Sequence, residues 1–339
     1  MIAIHNGTDG FHERWLAYCE INKISFKVVD MYSSNIINEL AECEGVLWQH
    51  NHAFAKDQIM AKQLLFALEH GGKKVFPDFF TGWHFDDKLG QKYLFEALGI
   101  AAAKMDVFFS KEEALHWLND QEFPLVFKLR RGAGSKNVQL VNSLNEATSL
   151  VNQAFGRGFR QIDAVGLLKD TIRKRKLGMT DYKAVLKSAA HLVYPYNVEK
   201  GLGRDKGYVY FQEFIPDNTF DIRVIVIGNK AFAIKRFVRE NDFRASGSGY
   251  IGYAKELFDD SLIELSFEHA RKLQSSCVGF DFVFKNGEPL VVEISYGFSA
   301  NGYDSCPGYW TEDLDWHQGT FNPYGWMIED LLLKITSKK

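Results

Sequence analysis

The feature that most restricts this chain is a change in the rhythm of its apolar residues along the sequence. Over roughly the first 80 residues, short apolar runs alternate with helix-period stretches. Ile2–His5, Ser25–Val29, Val46–Gln49 and Lys74–Phe76 read as strands, with helices near Phe11–Ile21 and Lys56–His70. That alternation predicts a parallel sheet with helices on its faces. From Tyr208 the β pattern dominates, with candidates at Tyr208–Phe214, Asp221–Ile227, Ala231–Val238, Gly279–Phe284 and Leu290–Ile294. Gly228-Asn229 and Asn286-Gly287 mark hairpin turns between them. Between these regions, capped helices are predicted at Lys88–Leu98, after Ser110 and after Ser143, with strands at 124–129 and Val138–Val141. The expected fold class is therefore α/β and α+β. An N-terminal α/β domain is expected over 1–85, a central α+β lid over 86–207, and a C-terminal α+β domain over 208–339.

Composition narrows the functional classes. With 46% hydrophobic and 24% charged residues in a chain of 339, a packed globule of two or three domains is the default. A net charge of −3 argues against avid nucleic-acid binding. Cys19, Cys43, Cys277 and Cys306 have no CxxC spacing, so no zinc ribbon or disulfide framework is indicated. The N-terminus lacks a signal-peptide pattern and no apolar run is long enough to span a membrane, which leads us to expect a cytoplasmic protein.

Four features that carry chemistry follow one another along the chain. Lys128 lies in a strand and is followed by Gly132-Ala133-Gly134-Ser135, a pairing suited to clamping phosphate oxygens but also to an ordinary hairpin. The strand ending Gln212-Glu213-Phe214-Ile215 offers an edge for reading an adenine ring. Asp221-Ile222-Arg223 and the later Arg236 and Arg244 suit a transferring phosphoryl group, although Arg223 and Arg236 taken singly fit equally well as solvated strand charges. Last, Asp281 in Gly279–Phe284 and Glu293 in Leu290–Ile294 are acidic residues inside strongly apolar strands, where unpaired carboxylates are costly. A shared divalent cation would relieve that cost. Strict alternation across a two-residue Asn286-Gly287 turn would send the two carboxylates to opposite faces, so this reading predicts a three-residue loop with Gly287 left-handed.

As an ordered set, these motifs resemble the ATP-grasp superfamily, most closely the branch of the ribosomal-protein glutamate ligase, with D-alanine ligase and glutathione synthetase more distant. The resemblance implies ATP and magnesium (or manganese) as cofactors, and a carboxylate–amine ligase that works through an acyl phosphate and releases ADP and phosphate. Carried over by position, Lys88 and Lys128 would hold the phosphates under the loop Gly132–Ser135. Glu213, Phe214 and Ile215 would meet adenine, and Asp221 the ribose. Arg244, with Arg236 and Lys128, would serve catalysis, and Asp281, Glu293 and Ser295 would bind metal. The family usually has Asn where Ser295 stands, which implies a loosened metal site. A kinase-like phosphotransferase and a non-catalytic nucleotide-binding protein are the alternatives.

Substrate choice is less legible. The basic run Lys169, Arg173, Lys174, Arg175 and Lys176 lies in an apparent insertion, 156–207. It suits either a solvated face or attraction of an anionic or sugar-derived substrate. The aromatic-rich segment 296–326 suits either a stacking pocket or core packing. His50-Asn51-His52 has a metal-like spacing that more often means nothing. The expected partners are a small-molecule or peptide carboxylate and an amine, with oligomeric state left open, a homodimer included.

Overall fold

A computed structural model describes residues 1–7, 10–132, 137–160, 164–176, 180–194, 201–239, 244–245 and 249–337. Strands β1 (Ile2–His5), β2 (Phe26–Val29), β3 (Gly45–Leu47) and β4 (Lys74–Phe76) form a parallel sheet in the order β2-β1-β3-β4. Between them run α1 (Phe11–Ile21), α2 (Ile36–Glu39) and α3 (Ala55–His70), and α4 (Phe79–Gly82) follows. Strands β1 and β3 are wholly buried, as expected of a parallel sheet covered on both faces. One face packs on Leu65 and Leu68 of α3.

Helix α5 (Lys88–Leu98) starts where the Asp87 carboxylate accepts from the Gly90 N–H at 3.1 Å, and it stops at left-handed Gly99. Then come β5 (Met105–Phe108), α6 (Lys111–Leu118), β6 (Leu125–Lys128), β7 (Val138–Val141) and α7 (Leu144–Ala154). Ser110 and Ser143 cap α6 and α7 as predicted, each accepting from the backbone of the glutamate three residues on. Part of the inserted segment is helical, with α8 (Ala164–Lys176) against α9 (Tyr182–Ala190). Strand β8 (Val209–Glu213) pairs between β5 and β6, completing an antiparallel sheet β5-β8-β6-β7. That sheet therefore runs past residue 207, where a boundary between the central and C-terminal regions was expected.

The remaining strands are β9 (Phe220–Ile227), β10 (Lys230–Phe237), β11 (Ile251–Gly252), β12 (Cys277–Lys285), β13 (Glu288–Ser295), β14 (Gly308–Thr311) and β15 (Trp316–Gln318). They form an antiparallel sheet β13-β12-β9-β10-β14-β15, with β11 also on β10. Helix α10 (Asp260–Leu273) buries Leu262, Ile263, Phe267 and Ala270 against Val224, Val226, Val278 and Phe280 on one face. The opposite face, with Ile225, Phe232 and Ile234, shares a core with Ile2, Ile4 and Phe11 of the first sheet's region. Helix α11 (Pro323–Thr336) closes that core with Met327, Ile328 and Leu331. Lys334 on α11 pairs with Asp78 at 3.2 Å, tying the chain's end to its beginning. The aromatic segment mostly packs: Phe321 stacks on Trp326 at 5.1 Å, and Phe298 meets Phe11 at 4.7 Å. Among the described residues no helix is long and apolar enough to cross a membrane.

Candidate active site

The β12–β13 hairpin corrects one expectation while keeping its consequence. Its turn is a strict two-residue Asn286-Gly287 loop closed by Lys285 opposite Glu288, not a three-residue one. Both turn residues are left-handed, with φ of 54° and 87°, which Asn and Gly tolerate best. Asp281 nevertheless lies directly opposite Glu293, because the register slips once between Asp281 and Phe282. Val292 is the extra residue. A β-bulge of this kind moves every side chain beyond it to the other face. It also presents the Val292 carbonyl to the Lys128 Nζ and the Gln212 amide, each at 3.5 Å.

The neighbouring strands extend this pair into a row of charge. Registration sets Arg223 opposite Asp281 and Arg236 opposite Asp221. Arg236 grips both Asp221 oxygens, at 2.6 and 2.8 Å. Asp281 Oδ1 lies 2.7 Å from Arg223 Nε and 3.0 Å from Arg236 Nη2, yet no hydrogen bond is aligned on it. Burial alone would raise the Asp281 pKa, but the two guanidinium groups outweigh it and hold the carboxyl below its usual range. For Asp221 burial wins, and its pKa is raised.

Two buried lysines face the same carboxylates. Lys88 Nζ lies 3.1 Å from Glu293 Oε1 and donates to the Gly132 carbonyl at 2.9 Å. Burial works against its charge, but Glu293 and Asp86 more than compensate, and its pKa is raised. Lys128 has no such close partner, and burial pulls it down to about 8. The start of the glycine loop is anchored from below: Asp86 accepts from the Gly132 N–H at 2.8 Å, and Asp87 pairs with Arg130. Ala133, Gly134 and Ser135 lie outside the described residues.

Lys128, Gly132, Asp221, Arg223, Asp281 and Glu293 line a cavity of about 620 Å³ between the two antiparallel sheets. Val126, Val138, Phe214, Ile215 and Val283 give it an apolar end, and Lys128, Arg223, Arg244, Asp281 and Glu293 its charged middle. It continues past Phe85 and Phe298 to His5, Tyr32, Trp48, His50 and Asp57 at the edge of the parallel sheet. Residues 198–305 match the family model of the RimK-like ATP-grasp domain. The fold is ATP-grasp. A RimK domain ATP-grasp protein from Sphaerobacter thermophilus superposes with a TM-score of 0.57 at 13% identity, covering 98% of this chain and 100% of that one. The D-alanine–D-alanine ligase of Bacillus anthracis gives 0.57 at 12%, covering 100% and 98%. D-cycloserine synthetase gives 0.58 at 14%, covering 97% and 99%. No curated protein sequence matches the chain.

Lys128, Phe214, Ile215, Asp221, Arg244, Asp281, Glu293 and Ser295 line the ATP-grasp cleft, and Lys88 reaches it from behind through Glu293. Three residues have commitments their expected roles did not include. The Glu213 N–H donates to the Lys104 carbonyl at 2.8 Å, and its carboxylate pairs with Lys285. Both Asp221 oxygens belong to Arg236, so Asp221 orients that guanidinium. The Ser295 hydroxyl donates to the Gly297 carbonyl at 3.0 Å and accepts from the Gly297 N–H at 3.1 Å, so it closes its own turn. Among the described residues no cluster of three or more His, Cys, Asp or Glu is placed to hold a metal. A cation here would rest on two carboxylates, leaving its other positions for phosphate oxygens and water, a pattern that suits magnesium. Asp281 Oδ1 already faces two guanidinium groups, so its other oxygen, Oδ2, is the one that fits that role. Sequence reasoning missed His5 and Tyr32, whose only signal was their place at or just after strand ends of a parallel sheet, and Asp57, in the first turn of α3.

Proposed function

We propose that the chain is an ATP-dependent carboxylate–amine ligase that releases ADP and phosphate. The observation that carries this reading is the bulged hairpin, which turns Asp281 and Glu293 to one face beside Lys88 and Lys128. The neighbours that share its fold include ligases and synthetases by name. Magnesium, held by Asp281 and Glu293, would supply charge neutralisation for the transferring phosphoryl group. Lys128 and Lys88 would hold the triphosphate, Lys88 also fixing the Gly132 end of the loop. Phe214 and Ile215 would flank the adenine. Arg223, oriented by Asp281, and Arg244 would face the transferring group. A carboxylate oxygen of the acid attacks the γ-phosphorus and ADP departs. The amine nitrogen then attacks the acyl carbon, the C–O bond to phosphate breaks, and the nitrogen loses a proton.

Pairs of carboxylates and amines screened for ADP release, with product masses, test this. We expect an amide to appear with ADP, and Glu293→Gln to lower turnover by at least about a hundredfold. Intact turnover in Glu293→Gln removes the assignment of the site. A phosphorylated acid formed with no amide would make the protein a phosphotransferase.

A further inference from the structure

The far end of the cavity differs in charge from its middle. Lys128 and Arg223 meet the cavity where phosphate would lie, whereas in the recess beside the parallel sheet the described residues place the Asp57 carboxylate among imidazoles and rings. Asp57 is 3% exposed and accepts from the Tyr32 hydroxyl and the Asn51 N–H, both neutral donors. Among the described residues no lysine or arginine nitrogen comes within ion-pair distance of it. The nearby lysines are placed elsewhere. Lys62 Nζ donates to the Trp83 and Phe85 carbonyls at 2.8 and 2.9 Å. Lys56 is exposed, and its Nζ lies 5.0 Å from the centre of the Tyr32 ring. Burial raises the Asp57 pKa and outweighs its two hydrogen bonds and the attraction of His12.

A second group in the recess also awaits a partner. His50 is 5% exposed, and its Nε2 is buried without a hydrogen-bond partner although the residue lines the cavity. Burial pushes this imidazole down to about 3, so it is neutral near pH 7 and able to accept through one nitrogen. His5, Tyr32 and Trp48 surround the same space, with Tyr32 5.4 Å from His5 and 5.8 Å from Trp48. A carboxylate, a neutral imidazole acceptor and electron-rich rings together favour a cation that donates hydrogen bonds.

We propose that this recess is a subsite for a primary ammonium group, which docks between Asp57 and His50 beside the Tyr32 and Trp48 rings. Its catalytic meaning, as the acceptor side of the cleft, rests on the ligase reading; its existence does not. The two ends of one cavity thus select opposite charges, an anionic triphosphate at one and an amine at the other.

Titration of the full chain with benzylammonium and propylammonium, each against its isosteric alcohol and followed by NMR, tests the subsite without any turnover. We expect each ammonium ion to bind about ten- to a hundredfold more tightly than its alcohol, the range of a hydrogen bond to a charged group. Asp57→Asn should erase that preference and leave ATP affinity unchanged, while Tyr32→Phe, which keeps the carboxylate, should retain it. The wild-type comparison needs no variant, so a poorly folding Asp57→Asn chain cannot obscure the result. Equal affinity for ammonium and alcohol in the wild type overturns the proposal, as does an unchanged preference in a folded Asp57→Asn chain. If the ammonium preference holds but no acid–amine pair releases ADP, the subsite stands and the ligase reading falls. If ligation is found with no ammonium preference, the subsite alone falls.

Discussion

Lys128 is buried at the strand end nearest the cleft, and its pKa falls from 10.5 to about 8. The cause is burial first, with Lys88 adding repulsion and the attraction of Glu293 and Asp281 too weak to restore it. Such a lysine is about half protonated at pH 8 and almost fully protonated at pH 6.5. A triphosphate beside it favours the charged form, so nucleotide binding must draw in a proton wherever the free site is partly neutral. We expect an uptake of about 0.5 proton per nucleotide at pH 8, falling towards zero near pH 6.5. Calorimetric titration in buffers of different ionisation heat measures that number directly. Lys128→Met should abolish the uptake at pH 8. No uptake at pH 8, or the same uptake in Lys128→Met, would falsify the assignment of Lys128 as the titrating phosphate clamp.

The same depression has a consequence for stability, with a definite sign. The unfolded lysine binds its proton up to pH 10.5, whereas the folded one releases it near 8. As pH falls between those values the unfolded state gains protons that the folded state lacks, so stability declines through that window and then levels off. The full cost, at about 1.4 kcal/mol per pH unit, is about 3 kcal/mol. Lys128→Met should therefore stabilise the nucleotide-free protein by up to about 3 kcal/mol at pH 7 and by little above pH 10.5. Denaturant unfolding at both pH values checks this. A variant that is less stable at pH 7 would show that the lysine is adequately compensated and its burial misread.

Other consequences follow from the same cleft. Asp281→Asn removes the carboxylate that Arg223 Nε approaches at 2.7 Å and leaves that guanidinium buried without its partner. We expect a loss of about 3–5 kcal/mol in denaturant unfolding, since an uncompensated buried charge is costly; a loss below about 1 kcal/mol would show the row of charge to be slack. At the hairpin turn, Asn286 has a φ of 54°. Asn286→Ala should cost about 1 kcal/mol in thermal stability and Asn286→Gly almost nothing, and equal effects would argue against the left-handed turn.

Much of the fold could be read from apolar spacing and caps because those signals are local. Ile2–His5, Phe11–Ile21, Lys88–Leu98 and Val138–Val141 end where Gly, Asp, Asn and apolar period place them. Helix α10 also has its period, with Leu262, Ile263, Ser266, Phe267 and Ala270 all buried, but the stronger β pattern around it masks that signal. Strand β8 is legible in the sequence, but its membership of the middle sheet is not, because pairing with β5 and β6 is a long-range fact. Asp57 was invisible for a similar reason. Its place on α3 looks ordinary until Tyr32 and His50, from other loops, close around it.

The hairpin shows how a correct functional reading can follow from an incorrect local one. Acidic residues within apolar strands imply a common destination, but alternation fixes only parity, and parity can be restored anywhere between the turn and the carboxylates. The turn was the nearest place to put the extra residue, and Asn286-Gly287 is a sound two-residue turn that had no need of one. Placing the irregularity at Val292 serves the cleft better. It leaves the turn unstrained, and it aims a backbone carbonyl at Lys128 and Gln212, which a longer loop would not have done. The bulge thus sets the facing of Glu293 and gives the buried lysine an acceptor before any nucleotide arrives.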